Sequence, residues 1–252
     1  MNILAGAAVG LAVGLTGVGG GSLMTPLLLA FGFPLHIAVG TDLLFAAVTK
    51  AGGVVSHARL GSIRWNLVLR LAAGSLPASV LTIGVLRIAF DSPDQYAGLI
   101  TTTLGLTLIL TSAAIIFRTK LAALGDAAFA SSEQTATALL PVLGVVLGVL
   151  VTLSSVGAGA IATAMLLIAY PALKSLNVVG TDIAHAVPLT LFAGLGHLYL
   201  GNVDFMLLAA LLIGSMPAVS LGSRLGQYVP DRIMRPVLAT TLCGIGIKFA
   251  FF

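Results

Sequence analysis

The feature that most limits this chain is the spacing of its polar breaks. Apolar blocks at 2–33, 37–56, 65–90, 96–117, 136–170, 178–200, 205–225 and 233–252 follow one another with short polar connections between them. A bilayer core about 30 Å thick needs roughly 20 apolar residues per helical span, and blocks of that length account for nearly the whole chain. The charge content decides between a buried core and a membrane. Only 8% of the 252 residues are charged and 58% are apolar, with a mean hydropathy of +1.13, whereas a soluble domain carries roughly 25% charged residues. The expected fold is an all-α polytopic membrane protein, with the lipid bilayer as its first partner. The 12 Lys and Arg against 8 acids sit mostly in the short connections. That placement suits cytoplasmic loops and not a nucleic-acid surface. A single cysteine, Cys243, allows no internal disulfide and no thiolate metal site, and is expected to be a small buried apolar residue. The first 18 residues lack a basic leader and a cleavage site and are expected to belong to the mature protein.

Two blocks are too long and too broken for simple spans. Gly17-Val18-Gly19-Gly20-Gly21 interrupts the first, and Ser154-Ser155-Val156-Gly157-Ala158-Gly159 the other; glycine at this density breaks a helix. The chain also repeats itself. A shift of 140 residues lays Val39-Gly40-Thr41-Asp42 on Val179-Gly180-Thr181-Asp182, His57 on His197, Gly61 on Gly201, and Gly74-Ser75-x-Pro77-Ala78 on Gly214-Ser215-x-Pro217-Ala218. The same shift pairs Gly17 with Gly157 and Gly19 with Gly159. The expected organisation is a first transmembrane repeat over 1–118, a cytoplasmic linker over 119–135 and a second repeat over 136–252. Pro77 and Pro217, inside their spans, are expected to kink them.

Loop charge decides how the repeats lie. If each broken block is one span, basic residues divide almost evenly between the two sides. If each is a hairpin with the glycines at its tip, Arg59, Arg64, Arg118, Lys120, Lys174, Arg224, Arg232 and Arg235 share one face, with Arg87 and Lys248 opposite. The positive-inside rule prefers the second arrangement. Each half is then a glycine-broken helical hairpin plus three transmembrane helices. That odd number of crossings makes the repeats inverted and puts both termini away from the cytoplasm.

Paired breaks in inverted repeats point to a midplane site, because non-helical backbone is tolerated there only against protein or water. Gly17, Gly19, Gly20, Gly21, Ser22, Gly157 and Gly159 are the first candidates. Each run opens the second limb of its hairpin, where unpaired N–H groups and the positive end of the helix dipole suit a small oxyanion; tight packing through small residues is the competing reading. Thr41, Asp42, Thr181 and Asp182 are the next. An Asp after Gly-Thr at the start of an apolar block either caps a helix or faces the substrate. Lys50 lies inside its block, where an ionisable group costs roughly 2.5–3.5 kcal/mol; it either snorkels or pairs with Asp42, Asp182 or an anion. His57 and His197 read as interfacial residues or, with His185 on nearly the same helix face as Asp182, as candidates for a proton relay. No metal cluster and no cofactor fingerprint is present.

The Gly-x-Gly-Gly-Gly run after the first limb, the Val-Gly-Thr-Asp block and the repetition of both across the whole chain resemble the sulfite exporter TauE/SafE family of membrane permeases. The resemblance implies export of a small sulfur-containing anion, sulfite or an organosulfonate, across a bacterial cell inner membrane; protons as the coupling ion, carried by an Asp or His, are a further step that the sequence permits. Much of that family has Ser after Gly-Thr where both repeats here have Asp, and the second glycine run is reduced to Gly157-Ala158-Gly159-Ala160. The alternative is a cation or metal-ion permease that uses Asp42 and Asp182. An intramembrane enzyme lacks a nucleophile motif, and a structural subunit would leave the paired breaks without a purpose.

Overall fold

A computed structural model of the chain describes residues 6, 7, 10, 11, 23–118, 120, 121, 123, 133–226 and 231–251. Over these residues the fold is all-helical. In chain order the helices are α1 (Met24–Ala30), α2 (Leu35–Arg59), α3 (Trp65–Ala89), α4 (Pro93–Ile116), α5 (Glu133–Ser154), α6 (Ala160–Ala169), α7 (Ser175–Tyr199), α8 (Phe205–Gly226) and α9 (Asp231–Phe251). Among the described residues five spans are long and apolar enough to cross a membrane: Leu35–Arg59, Trp65–Ala89, Pro93–Ile116, Thr137–Ser154 and Ser175–Tyr199. Four of the expected full spans are present among these, the fifth being the first limb of the second broken block, and the last two expected blocks form helices whose described apolar stretches, Phe205–Ser215 and Pro236–Phe251, are shorter. Pro77 lies inside α3 without ending it.

The distribution of side chains is inside out relative to a soluble protein. Ile88, Met206, Leu81 and Leu69 are among the most exposed residues, while Thr25, Asp42, Ser75, Ser79, Thr107, Thr152 and His185 are buried. Hydrocarbon solvates the first set and would leave the second without partners, so the polar groups turn inward and bond one another. Cys243 is half-buried and free, less enclosed than its small apolar character led one to expect.

Lipid supplies little hydrophobic drive between helices, so close approach of backbones has to hold them. Helices α3 and α5 run parallel, and a Cβ added at Gly74 would collide with the Pro141 carbonyl, one at Gly144 with the Leu71 carbonyl and one at Gly148 with the Ser75 carbonyl. Thr152 donates from Oγ1 to Ser79 Oγ at 2.7 Å along the same seam. Helices α4 and α9 meet antiparallel at Gly105 and Gly246, and Ser112 donates to the Ala239 carbonyl at 2.8 Å. Because the obstacles at Gly74 are backbone atoms, Gly74→Val must force the helices apart. We expect it to destabilise by the upper end of the roughly 1–3 kcal/mol typical of overpacking. Gly84→Val, on the same helix with no neighbour within 4 Å, should be silent. Thermal unfolding in detergent decides, and equal midpoints for the two variants would refute the packing argument.

The centre of the molecule is the antiparallel pair α2 and α7. A Cβ at Gly194 would meet Leu44, one at Gly53 would meet Ile183, one at Gly40 would meet the Asn202 carbonyl, and one at Gly180 would meet Ser62 and His57. Contacts made by one of these helices recur on the other. The Asp204 N–H donates to Thr41 Oγ1 at 3.1 Å, and the Arg64 N–H donates to Thr181 Oγ1 at 3.0 Å. Gly61 (φ 62°) and Gly201 (φ 77°) end α2 and α7 in the same left-handed turn.

The second broken block folds back on itself. Helix α5 ends at Ser154 and α6 starts at Ala160, which places the break where the sequence put it. Thr137, near the start of α5, hydrogen-bonds Tyr170, just past the end of α6, hydroxyl to hydroxyl at 2.7 Å. Leu140 and Leu147 of α5 share one apolar cluster with Ile161, Leu166 and Leu167 of α6. The first break, at Gly17, Gly19, Gly20, Gly21 and Ser22, lies outside the described residues.

Candidate functional site

Asp42 and Asp182 are each the eighth residue of a 25-residue helix. The helix N-caps are Pro34 and Lys174, with no side-chain cap bond at either, so the capping reading of the two acids is overturned. Both are buried, and both are held the same way. Thr25, in the first turn of α1, donates to Asp42 Oδ2 at 2.6 Å. Thr163, in the first turn of α6, donates to Asp182 Oδ2 at 3.2 Å. In each carboxylate Oδ1 has no hydrogen-bond partner among the described residues. A buried carboxylate oxygen left open is expensive unless something else fills the place.

The break between α5 and α6 lies between these acids. Ser155 is in the left-handed region at φ 59°, with Gly157 at 114° and Gly159 at 152°. For the serine, a conformation that only glycine adopts freely costs of order 1–3 kcal/mol, so the surrounding fold must hold it. Ser155 is buried, and its hydroxyl faces the Asp42 carboxyl. Lys50, two turns after Asp42 on α2, reaches into the break and donates from Nζ to the Ala158 carbonyl at 2.7 Å. Asp182 and Asp42 stand close enough for their charges to act on it, although neither forms an ion pair with it. A Cβ at Gly159 would meet nothing within 4 Å among the described residues, at the mouth of α6. In that helix the N–H groups of Ala162 and Thr163 bond the Gly157 and Gly159 carbonyls. By helix geometry those of Ala160 and Ile161 face the break, at the positive end of the dipole.

The three histidines separate. His185 is buried beside this cluster, with Nε2 at 2.8 Å from Ser75 Oγ and Nδ1 unpartnered. His197, read from the sequence as an interfacial mate of His57, is fully buried. Its Nε2–H donates to the Thr152 carbonyl at 2.8 Å and its Nδ1 accepts from Asn202 at 3.2 Å, while Asn202 also donates to the Tyr96 hydroxyl at 2.8 Å. That network ties the end of α5 to α7 and α4. His57 is half-buried at the end of α2. The Ser62 hydroxyl donates to its carbonyl and therefore accepts from its Nδ1–H at 2.8 Å. Thr41 and Thr181 are likewise engaged elsewhere, each bonded to the backbone of the other half's connecting loop.

Sequence reading missed Thr25, Thr163, Ser155 and Ser75 as parts of this cluster. A signal for the threonines existed. The structure matches Gly6 against Leu211 and Gly10 against Ser215 as it matches Gly144 against Leu71 and Gly148 against Ser75, which relates the hairpins by 138 residues and not 140. On that shift Val18-Gly19-Gly20-Gly21 falls on Val156-Gly157-Ala158-Gly159, and Thr25 falls on Thr163. Gly17 and Gly19, which the single shift pairs with Gly157 and Gly159, lie outside the described residues.

Apolar spans around a buried cluster of two carboxylates, an amine and a broken helix define a multi-pass membrane transport protein of the cell membrane. The chain belongs to the Sulfite exporter TauE/SafE family, whose model matches residues 2–249. It is similar to the probable membrane transporter protein YjnA of Bacillus subtilis (strain 168), at 38% identity over 252 residues that cover 98% of this chain and 97% of the relative. Similarity extends to the probable membrane transporter protein YdhB of the same organism, at 28% identity covering 96% of each chain. It also extends to the probable membrane transporter protein MJ0441 of Methanocaldococcus jannaschii, at 26% identity over 97% of this chain and 92% of the relative. These are membrane transporters and not enzymes. No solved structure matches the chain significantly.

Proposed function

We propose that this transporter is a secondary exporter of a small sulfur-containing anion, sulfite or an organosulfonate. The site is the break between α5 and α6, and Lys50 is the cationic group that holds the anion. The carrying observation is the Lys50 ammonium, bonded to the Ala158 carbonyl next to Gly159 and the first turn of α6. A monovalent oxyanion placed there meets one full positive charge, the dipole of a helix N-terminus and the Ser155 hydroxyl. Sulfur-anion identity comes from the sulfite exporter TauE/SafE family to which the chain belongs.

The proposal extends to architecture. Residues 1–118 and 136–252 are two repeats, each a glycine-broken hairpin plus three spans, joined by the cytoplasmic segment 119–135 and inserted in opposite senses. The antiparallel crossing of the equivalent helices α2 and α7 supports this, because equivalent helices of a parallel duplication would cross the membrane in the same sense. So do the parallel run of α3 with α5 and the antiparallel run of α4 with α9, which are the directions such a path through the bilayer requires.

Reconstituted protein is expected to give saturable uptake of at least one of sulfite, thiosulfate and methanesulfonate in proteoliposomes, with sulfate as a comparison. Inward counterflow of labelled anion into vesicles preloaded with the same anion is the readout. If none of these exchanges while divalent cations do, the two free Oδ1 oxygens of Asp42 and Asp182 are coordinating a cation and the anion reading is lost.

A further inference from the structure

The charges of the central cluster do not balance. Facing one another are Asp42 and Lys50 from α2 and Asp182 and His185 from α7. The other packed elements contribute no ionisable group to it among the described residues. Helices α1 and α6 supply the Thr25 and Thr163 hydroxyls, α3 supplies Ser75, and the break supplies Ser155 and the Ala158 carbonyl. Two carboxylic acids therefore share one amine, with His185 counted as a neutral ring bonded to Ser75. An uncompensated charge in a low-dielectric interior costs several kcal/mol even after relaxation. The compartment is thus stable only with net charge near zero, which at rest means one proton on the pair of carboxyls. A monovalent anion brought to Lys50 adds one negative charge and restores the same imbalance.

Resting on the anion-transport reading above, we propose that each monovalent anion enters this site together with one proton, which is taken up by the carboxylate of the Asp42–Asp182 pair. Loaded, the compartment holds two protonated carboxyls, one ammonium and one anion. At rest it holds one protonated carboxyl, one carboxylate and one ammonium. Both states are neutral, so the anion crosses the membrane without net charge. The open Oδ1 of each acid is the atom that accepts the proton, and Thr25 and Thr163 occupy the other oxygen of each.

The count also predicts which substitutions matter. With one acid neutralised, as in Asp42→Asn, the resting site holds one carboxylate and one ammonium, and the anion still requires one proton. With both neutralised, no acid remains to receive it. His185→Gln should leave the stoichiometry unchanged.

Methanesulfonate is the probe, because it stays a monoanion across the neutral range and any proton taken up must go to the protein. In vesicles of full-length protein, a tenfold anion gradient should be balanced at zero net flux by one opposing pH unit, and clamping the membrane potential with valinomycin should change nothing. Asp42→Asn should keep that balance point. A second readout uses the wild-type protein in weakly buffered detergent solution: adding methanesulfonate should take up one proton per anion bound, seen with a pH indicator. Wild-type flux that follows the potential and ignores the pH gradient, or binding without proton uptake, overturns this inference while leaving anion transport standing. Absence of both binding and flux overturns it together with the reading on which it rests.

Discussion

Protein carrying Lys50→Ala, reconstituted at the wild-type density, is expected to lose saturable anion uptake by about 100-fold or more, or roughly 3 kcal/mol of anion stabilisation. Lys50 is the amine that both Asp42 and Asp182 act upon, so its removal leaves the anion facing two acids and a hydroxyl. The dipole at the start of α6 remains, but a helix N-terminus contributes about 0.3–1 kcal/mol and at most about 2, which cannot replace a full charge in a site shielded from water. Folding should survive. Losing the amine frees the Ala158 carbonyl, at about 1–3 kcal/mol for an unpaired buried group. It also removes a charge whose cost within a bilayer is roughly 2.5–3.5 kcal/mol, and the two nearly cancel. Lys50→Met, which keeps the apolar stem, is the companion variant and should match the alanine in flux and the wild type in thermal midpoint. Uptake by either variant within threefold of wild type would remove Lys50 from the site.

Gly159→Val is expected to reduce transport by more than tenfold with little loss of thermal stability. Gly159 sits at φ 152°, a conformation a β-branched residue reaches only with strain of order 1–3 kcal/mol. The side chain itself would collide with nothing among the described residues. The break therefore deforms locally and the valine fills the space that the anion would occupy, while the seams of α3 with α5 and α4 with α9 are untouched. This is the reverse of Gly74→Val, where a backbone collision should lower stability first. Comparing flux per folded protein for the two variants, alongside Gly159→Ala as an intermediate, separates a blocked path from a weakened fold. Wild-type flux through Gly159→Val would place the path elsewhere.

Much of this protein was legible in one dimension because the bilayer imposes a local demand. Backbone groups must be bonded within the segment that crosses, so each span needs its own run of about 20 apolar residues, and the runs are visible as blocks. The break at Ser155–Gly159 was legible for a related reason, since glycines concentrated inside such a run have few other uses. Asp42, Asp182 and Lys50 stood out because ionisable groups inside apolar blocks are costly, whatever they touch.

What those residues touch was decided only in three dimensions. Thr41 and Asp42 are neighbours in sequence, yet consecutive residues of a helix point about 100° apart. One therefore bonds the backbone of Asp204 in the other half, and the other bonds Thr25 of its own hairpin. His57 and His197 occupy equivalent sequence positions and differ in environment, because Ser62 stands where the other repeat has Asn202, which links His197 to Tyr96. The hairpin offset of two residues escaped a single sequence shift, since only packing of Gly10 on Ser215 and Gly148 on Ser75 fixes the register. The sequence by itself determined that the chain crosses a membrane, where its helices break and which charges it carries inside. Only the tertiary structure decided which of those charges meet, because rotation about each helix axis and the register between helices are set by contacts between residues far apart in the chain.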